Sequence, residues 1–297
     1  DMPVVPTALV DALAQQNGLL VDALGPTASV SLRAENFSKT GGSLSLEAGS
    51  DRAKAKVKGN SGAGVFAISE PLNVSIIEIT QALAGRFVTG MPLVGSIEKV
   101  KTDQPATIVA SELRVPLDSD LSKLNGQIQI DPGQAKFTAS EQFGPILNMA
   151  AQKTMASVGN KLEPMSITIT NGVAEYAPWA LPLGEFKLAT EGKVDLVQKK
   201  IDVVTWIPLG ALSEETAKLV SKANLGGALG DILGGKKEQD KKKNDGLMVP
   251  FRTKGSFGKT KTEPDLELLA KQAIDNAKPE DLLQKGLDSI FKKKKVK

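Results

Sequence analysis

The chain contains no histidine and no cysteine in 297 residues. Without imidazole it lacks the side chain that titrates nearest neutrality. Ser-His-Asp and Cys-His nucleophile systems are excluded with it, as are the commonest zinc and transition-metal ligand sets. Without cysteine there are no disulfides and no thiolate chemistry, a condition that suits a periplasm and a cytosol equally. Aromatic residues are only 4% of the chain, so the core has to be built from Val, Ile, Leu and Ala. No apolar run reaches the roughly 18 residues of a membrane span, and no signal-peptide pattern is visible. A dominant charge is also missing: Lys+Arg is 37, Asp+Glu is 34 and the net charge is +3. That balance gives no body-wide basic footprint for nucleic acid.

What is present is a globular composition, with 41% hydrophobic and 24% charged residues, and enough length for one large β-rich domain or two smaller ones. The commonest pattern has a period of two. Ala28, Val30, Leu32 and Ala34 alternate with Ser29, Ser31, Arg33 and Glu35. After Thr40-Gly41-Gly42, Leu44 and Leu46 continue the pattern. Ala53, Ala55 and Val57 then alternate with Arg52, Lys54, Lys56 and Lys58, and Gly59 to Gly64 reads as a glycine-rich turn. This predicts an antiparallel meander with one wet face. Strands are also expected over 107–117, and as a hairpin joining Ile128 and Ile130 to Ala135, Phe137 and Ala139 through Asp131-Pro132-Gly133. A second hairpin is expected over 167–176, where Asn171-Gly172 suits a type I′ turn. Two further strands carry Phe186, Leu188, Val194 and Leu196, then Ile201, Val203, Ile207 and Leu209, and one more spans 247–257.

Helical spacing appears at 6–13, with Leu9, Val10 and Leu13 on one face, and at 78–91, 142–158 and from Ser213. Two amphipathic terminal helices are expected within 264–291, with Pro264 and Pro279 at early positions. The segment 236–245 has no apolar residue and reads as a mobile lysine-rich loop. The fold class is therefore α+β: a long antiparallel sheet with amphipathic helices on one face and at its ends, as a single elongated domain over 1–297.

The acidic residues do not converge on a catalytic pair. Glu214-Glu215 and Glu280-Asp281 fall in first helical turns, where they favour the helix dipole. Asp118-Ser119-Asp120 offers two carboxylates where calcium takes six to eight oxygens, and reads as loop and cap. Gly230 to Lys236 has the spacing of a phosphate loop, but Lys237 stands where Ser or Thr should hold magnesium, and a helix rather than a strand precedes it. No metal ligand set and no cofactor site is expected, and the chain reads as non-catalytic. Lys292, Lys293, Lys294 and Lys295 follow an amphipathic helix. Near an anionic membrane each basic residue adds about 1 kcal/mol of attraction, while a solvated tail needs no partner; both readings stay open.

The segment Val249-Pro250-Phe251-Arg252-Thr253-Lys254-Gly255-Ser256-Phe257-Gly258-Lys259-Thr260-Lys261-Thr262-Glu263-Pro264-Asp265-Leu266 resembles the close of AsmA-like proteins, a group that includes TamB-like, bridge-like lipid transfer proteins. Gly192-Lys193-Val194-Asp195-Leu196 and the strand ending in Ile207-Pro208-Leu209 fit the same style, and the resemblance covers roughly residues 165–290. It implies a Gram-negative periplasmic or envelope protein, with an inner-membrane anchor in the full-length protein. It also implies a long curved sheet whose apolar groove conducts phospholipid in support of outer-membrane biogenesis. Phe186, Leu188, Val194, Leu196, Ile201 and Val203 are the groove candidates; ordinary core packing is the alternative for each. A different class of function is a structural or assembly module that binds another envelope protein through a sheet edge or an apolar patch.

Overall fold

The computed structural model describes residues 2–38, 40–88, 94–98, 104–133, 136–139, 162–183, 186–209, 212 and 248–276. It is an α+β protein, dominated by one long curved antiparallel sheet of 14 strands. The strands are β1 (Met2–Pro6), β2 (Thr27–Ser38), β3 (Gly41–Gly49), β4 (Ala53–Gly62), β5 (Val65–Ile68), β6 (Leu72–Ile76), β8 (Ala106–Pro116), β9 (Asn125–Asp131), β11 (Met165–Thr170), β12 (Val173–Leu183), β13 (Phe186–Asp195), β14 (Lys200–Pro208), β15 (Met248–Ser256) and β16 (Lys259–Pro264). They follow one another across the sheet in chain order, with β5 and β6 both filling the place between β4 and β8. Such a meander needs only short reversals. Two of them are two-residue turns, Ala63-Gly64 and Asn171-Gly172, whose φ values of 50° and 76°, and 50° and 78°, are the pair of positive angles that a type I′ turn requires. Gly59 to Gly62 are strand rather than turn, which corrects the expected reversal over 59–64.

A second correction concerns β9. It does not form a hairpin with the segment after Asp131-Pro132-Gly133. It pairs with β8 and β11, while β10 (Lys136–Ala139) pairs with β7 (Val94–Glu98) in a separate two-stranded ribbon. Ile128 and Ile130 thus meet Ile167 and Met165, which offer larger apolar partners than Phe137 and Ala139 do together.

Helix α1 (Thr7–Ala14) forms where it is expected but turns the other way. Its buried residues are Thr7 and Asp11, whereas Leu9 and Leu13 are 57% and 77% exposed. The reason is Asp11. Its two carboxylate oxygens accept the backbone N–H groups of Gly18 and Leu20 at 2.6 and 2.7 Å. These are orphan donors at the start of α2 (Leu19–Leu24). Hydrogen bonds to a charged acceptor are worth about 1.5–3 kcal/mol each, enough to hold the polar edge of α1 inward against the pull of two leucines.

Helices α2 and α3 (Gln81–Val88) pack on one face of the sheet. Leu24 and Leu83 close over Ala28, Ala53, Ile76 and Ala106, with Leu19, Leu20, Ala48, Val74 and Ile108 around them. At the other end, β16 extends to Pro264. Asp265 then caps α4 (Leu266–Asn276) by accepting the N–H of Leu268 at 3.0 Å. Pro264 therefore ends a strand instead of opening a helix. Arg252 ties this cap to the sheet, donating to Asp202 at 2.8 Å and to Asp265 at 3.1 Å, and Leu269 is fully buried in the same helix. The expected helix over 142–158, the helix from Ser213, the loop 236–245, the second terminal helix and Lys292 to Lys295 lie outside the described residues.

Candidate functional site

Residues paired across an antiparallel sheet point to the same face, so the register decides which side chains share a surface. Val30, Leu32 and Ala34 of β2 pair with Ala48, Leu46 and Leu44 of β3. These pair in turn with Ala55, Val57 and Gly59 of β4. Ala55 pairs with Val74 of β6, which puts Leu72 on the same face, and the row continues from there: Leu72 pairs with Ala110, Ala110 with Ile128, Ile128 with Ile167, and Ile167 with Tyr176. Beyond Tyr176 the same register runs to Gly192, Val203, Thr253 and Thr262. One face of the sheet is thus apolar from β2 to β14.

The other face carries the alternating polar set. Cross-strand ion pairs line it: Glu47 with Lys56 at 2.7 Å, Glu175 with Lys193 at 3.2 Å, and Asp202 with Arg252 at 2.8 Å and Lys254 at 3.4 Å. Lys56 holds the Glu47 carboxyl below its usual range, and Glu47 raises the lysine in return. A broad concavity of about 1150 Å³ lies on this face, lined by Ser29, Ser31, Ser75, Asn73, Lys54 and neighbours. It holds no cluster of unpaired acids or bases. Elsewhere, Asp118 and Asp120 both pair with Lys123, and Asp120 also caps the one-turn helix Leu121–Lys123 by accepting the N–H of Ser122. These two carboxylates therefore hold a lysine. Among the described residues, no group of three acidic side chains is placed to hold a metal ion.

The apolar face is not uniformly covered. At the strand ends beneath α2 and α3, Ala28, Ala53, Ile76 and Ala106 are buried. Along the row described above, Leu32 is 56% exposed, Leu46, Val57, Leu72, Ile128, Ile167 and Tyr176 are half-buried, and the small Ala110 is buried between Leu72 and Ile128. From Leu32 to Tyr176 this lane crosses eight strands, about 34 Å at ~4.8 Å per strand. That is close to the ~30 Å hydrocarbon thickness of a bilayer.

The groove candidates of the sequence lie on the continuation of this face. Leu188, Ile201 and Val203 are buried, at 3%, 5% and 0% exposure. Val194, paired with Ile201, is half-buried. Leu196 sits in the turn after β13 and is half-buried there. Phe186 lies in β13 opposite Leu183, and its side chain is outside the described residues. The structure thus puts five of the six on β13 and β14, where Leu188, Ile201 and Val203 are closed off and Val194 is not, and places the longer half-exposed row on β2 to β12. Strand periodicity gives the parity of Leu32, Leu46 and Val57 as clearly as that of Leu188 and Val203. What it does not carry is which of these strands tertiary packing covers.

A hydroxyl cluster follows the lane. Tyr176 and Thr190 share a hydrogen bond at 3.2 Å, Thr190 pairs across the sheet with Thr205, and Thr253 bonds Thr262 at 2.9 Å. Burial pushes the Tyr176 phenol up to about 12. Leu9 and Leu13 of α1 and Val4 of β1, 72% exposed, are further exposed apolar side chains. Among the described residues, no helix is long and apolar enough to cross a membrane.

The chain matches no protein-family model, no curated protein and no solved structure.

Proposed function

We propose that this chain is a non-catalytic protein of the Gram-negative periplasm or envelope that binds or conducts phospholipid along the apolar face of its sheet, in support of outer-membrane biogenesis. The observation that carries the reading is the half-exposed lane from Leu32 to Tyr176. Water contact along a row this long is unfavourable unless something apolar covers it. An acyl chain laid in it gains about 0.8 kcal/mol for each methylene removed from water. Leu9, Leu13 and Val4 offer a further apolar contact toward a membrane surface.

The sheet edges argue against a module that recruits an envelope protein by strand addition. Pro3 and Pro6 remove N–H donors from β1, and Lys259, Lys261 and Pro264 guard β16. These are devices that blunt an edge against another strand.

The test is native mass spectrometry with lipid extraction, on protein purified from a Gram-negative host. Phospholipid is expected to co-purify, and to be lost from a Leu46→Asp, Ile167→Asp double variant that keeps its thermal unfolding transition. A wild-type protein free of lipid, and unable to take up fluorescent phospholipid from vesicles, would contradict the proposal.

A further inference from the structure

The apolar face carries one polar feature that core packing does not explain. Thr205 is fully buried, and its hydroxyl has no hydrogen-bond partner. An unbonded buried hydroxyl is costly, and valine fills almost the same volume without it. The N-terminal strands use that solution: the buried positions on this face of β2, β6 and β8 are Ala28, Val30, Ile76, Ala106 and Ala110. On β13 to β15 the buried set includes Thr190, Thr205 and Thr253 instead.

Thr205 is not isolated. It stands opposite Thr190 on the neighbouring strand, and Thr190 shares one hydrogen bond with Tyr176, the last residue of the open lane. Two hydroxyls sharing one bond leave one O–H uncommitted, and Thr205 supplies a second. The nearby Trp179 indole adds no donor, because its N–H is held by the carbonyl of Glu163 at 2.6 Å. Glu191, Lys193 and Asp202 alternate onto the opposite face, where Glu191 accepts from Trp206 at 3.0 Å. The cluster is therefore neutral, donor-rich and set at the end of an apolar path.

We propose that Tyr176, Thr190 and Thr205 form a subsite for the acyl oxygen of a lipid, the ester carbonyl of a phospholipid or the carboxyl group of a fatty acid, whose chain extends along the lane toward Leu32. This rests on the lane being a lipid path. Uncharged donors suit a carbonyl or carboxyl oxygen; a phosphate would call for the Arg or Lys partners that strong phosphate recognition uses. The Tyr176 phenol, like any phenol, is protonated over the physiological range and so able to donate.

The experiment measures binding of three probes: oleic acid, dioleoylphosphatidylglycerol and 1-octadecene, which has the chain without the oxygens. Wild type is compared with Thr205→Val, Thr205→Ser and Tyr176→Phe, each first shown to fold by thermal unfolding. Thr205→Val and Tyr176→Phe are expected to weaken the oxygenated probes about tenfold, the equivalent of ~1.4 kcal/mol. They should leave 1-octadecene unchanged, and Thr205→Ser, which keeps the hydroxyl, should retain binding of all three. Equal losses for both oxygenated probes assign the acyl oxygen they share. Loss for oleic acid alone assigns a free carboxyl group, and loss for the phospholipid alone assigns an ester. Unchanged binding of both oxygenated probes to both variants overturns the subsite while sparing the lane. If wild type binds none of the three, the lane reading fails and takes the subsite with it.

Discussion

Val203→Asp is expected to abolish folding, whereas Leu46→Asp, on the same face of the same sheet, is expected to leave a folded protein. Val203 is 0% exposed and sits between Gly192 and Thr253, and the described residues beside it on this face of β13 and β15 include no basic side chain to pair a carboxylate. The substitution forfeits the ~1.5–3 kcal/mol of a buried aliphatic side chain. It also strands a polar group that must either stay ionised at great cost or take up a proton. A total of about 5 kcal/mol or more is comparable with the whole stability of many domains. Leu46 is half-buried between Leu32 and Val57, so an aspartate there reaches water. Circular dichroism with urea titration separates the two. Equal loss of structure in both variants would mean that the lane is ordinary core.

Tyr176 is expected to titrate near pH 12 in the folded protein, against about 10 for an unperturbed phenol. It is the sole tyrosine of the chain, so ultraviolet absorbance of the phenolate reports it alone. The dominant cause is burial, which penalises the phenolate; the bond with Thr190 works in the opposite direction, and Glu191 adds a smaller upward push. The sign of the linked stability follows. Below pH 10 the phenol is neutral in both states and its contribution is complete. As pH rises from 10 to 12, the unfolded chain loses the proton first, so stability falls, by up to ~2.7 kcal/mol for two pKa units. Lysines titrate over the same range, so Tyr176→Phe is the control: the stability difference between wild type and variant should be constant below pH 10 and shift to the detriment of wild type above it. A folded-state midpoint at 10 would place the hydroxyl in water, and would remove it from the buried cluster with Thr190.

The residues whose structure was legible from sequence share one property: their local pattern and their tertiary partners agree. Ala53, Ala55 and Val57 alternate with lysines, and β3 and β4 place them on the apolar face in that register. Asn171-Gly172 closes its hairpin because no other dipeptide nearby tolerates the two positive φ angles as cheaply. Failures occur where a distant partner decides. Pro132-Gly133 is good turn chemistry, yet β9 turns away to β11 and leaves β10 to pair with β7, a strand whose sequence gave no strong period. Leu9 and Leu13 have helical spacing, yet a single carboxylate, Asp11, reverses the helix because backbone donors 7 and 9 residues later need it.

The candidate site divides along the same line. That one face is apolar was legible from alternation alone. Which part of it stays open depends on tertiary packing: α2 and α3 cover the ends of β2, β4, β6 and β8, and Leu188, Ile201 and Val203 on β13 and β14 are buried outside that cluster. So the buried Leu188, Ile201 and Val203, and the half-exposed Leu46, Ile128 and Ile167, look alike as sequence. The hydroxyl cluster was hidden for a similar reason: Thr alternates freely on either face of a strand, and only the fold sets Thr205 opposite Thr190 and brings the Tyr176 hydroxyl diagonally to Thr190.

The most direct test of the central claim uses the two tryptophans as reporters on opposite faces. Trp179 pairs with Thr190 and lies on the apolar face, while Trp206 pairs with Ala189 and lies on the other. A phospholipid brominated along its acyl chains quenches indole fluorescence on contact. Trp206→Phe, which keeps Trp179, is expected to be quenched strongly and saturably as this lipid is added. Trp179→Phe, which keeps Trp206, is expected to be quenched little. Equal quenching of both variants, or none in either, would contradict a lipid path on the apolar face.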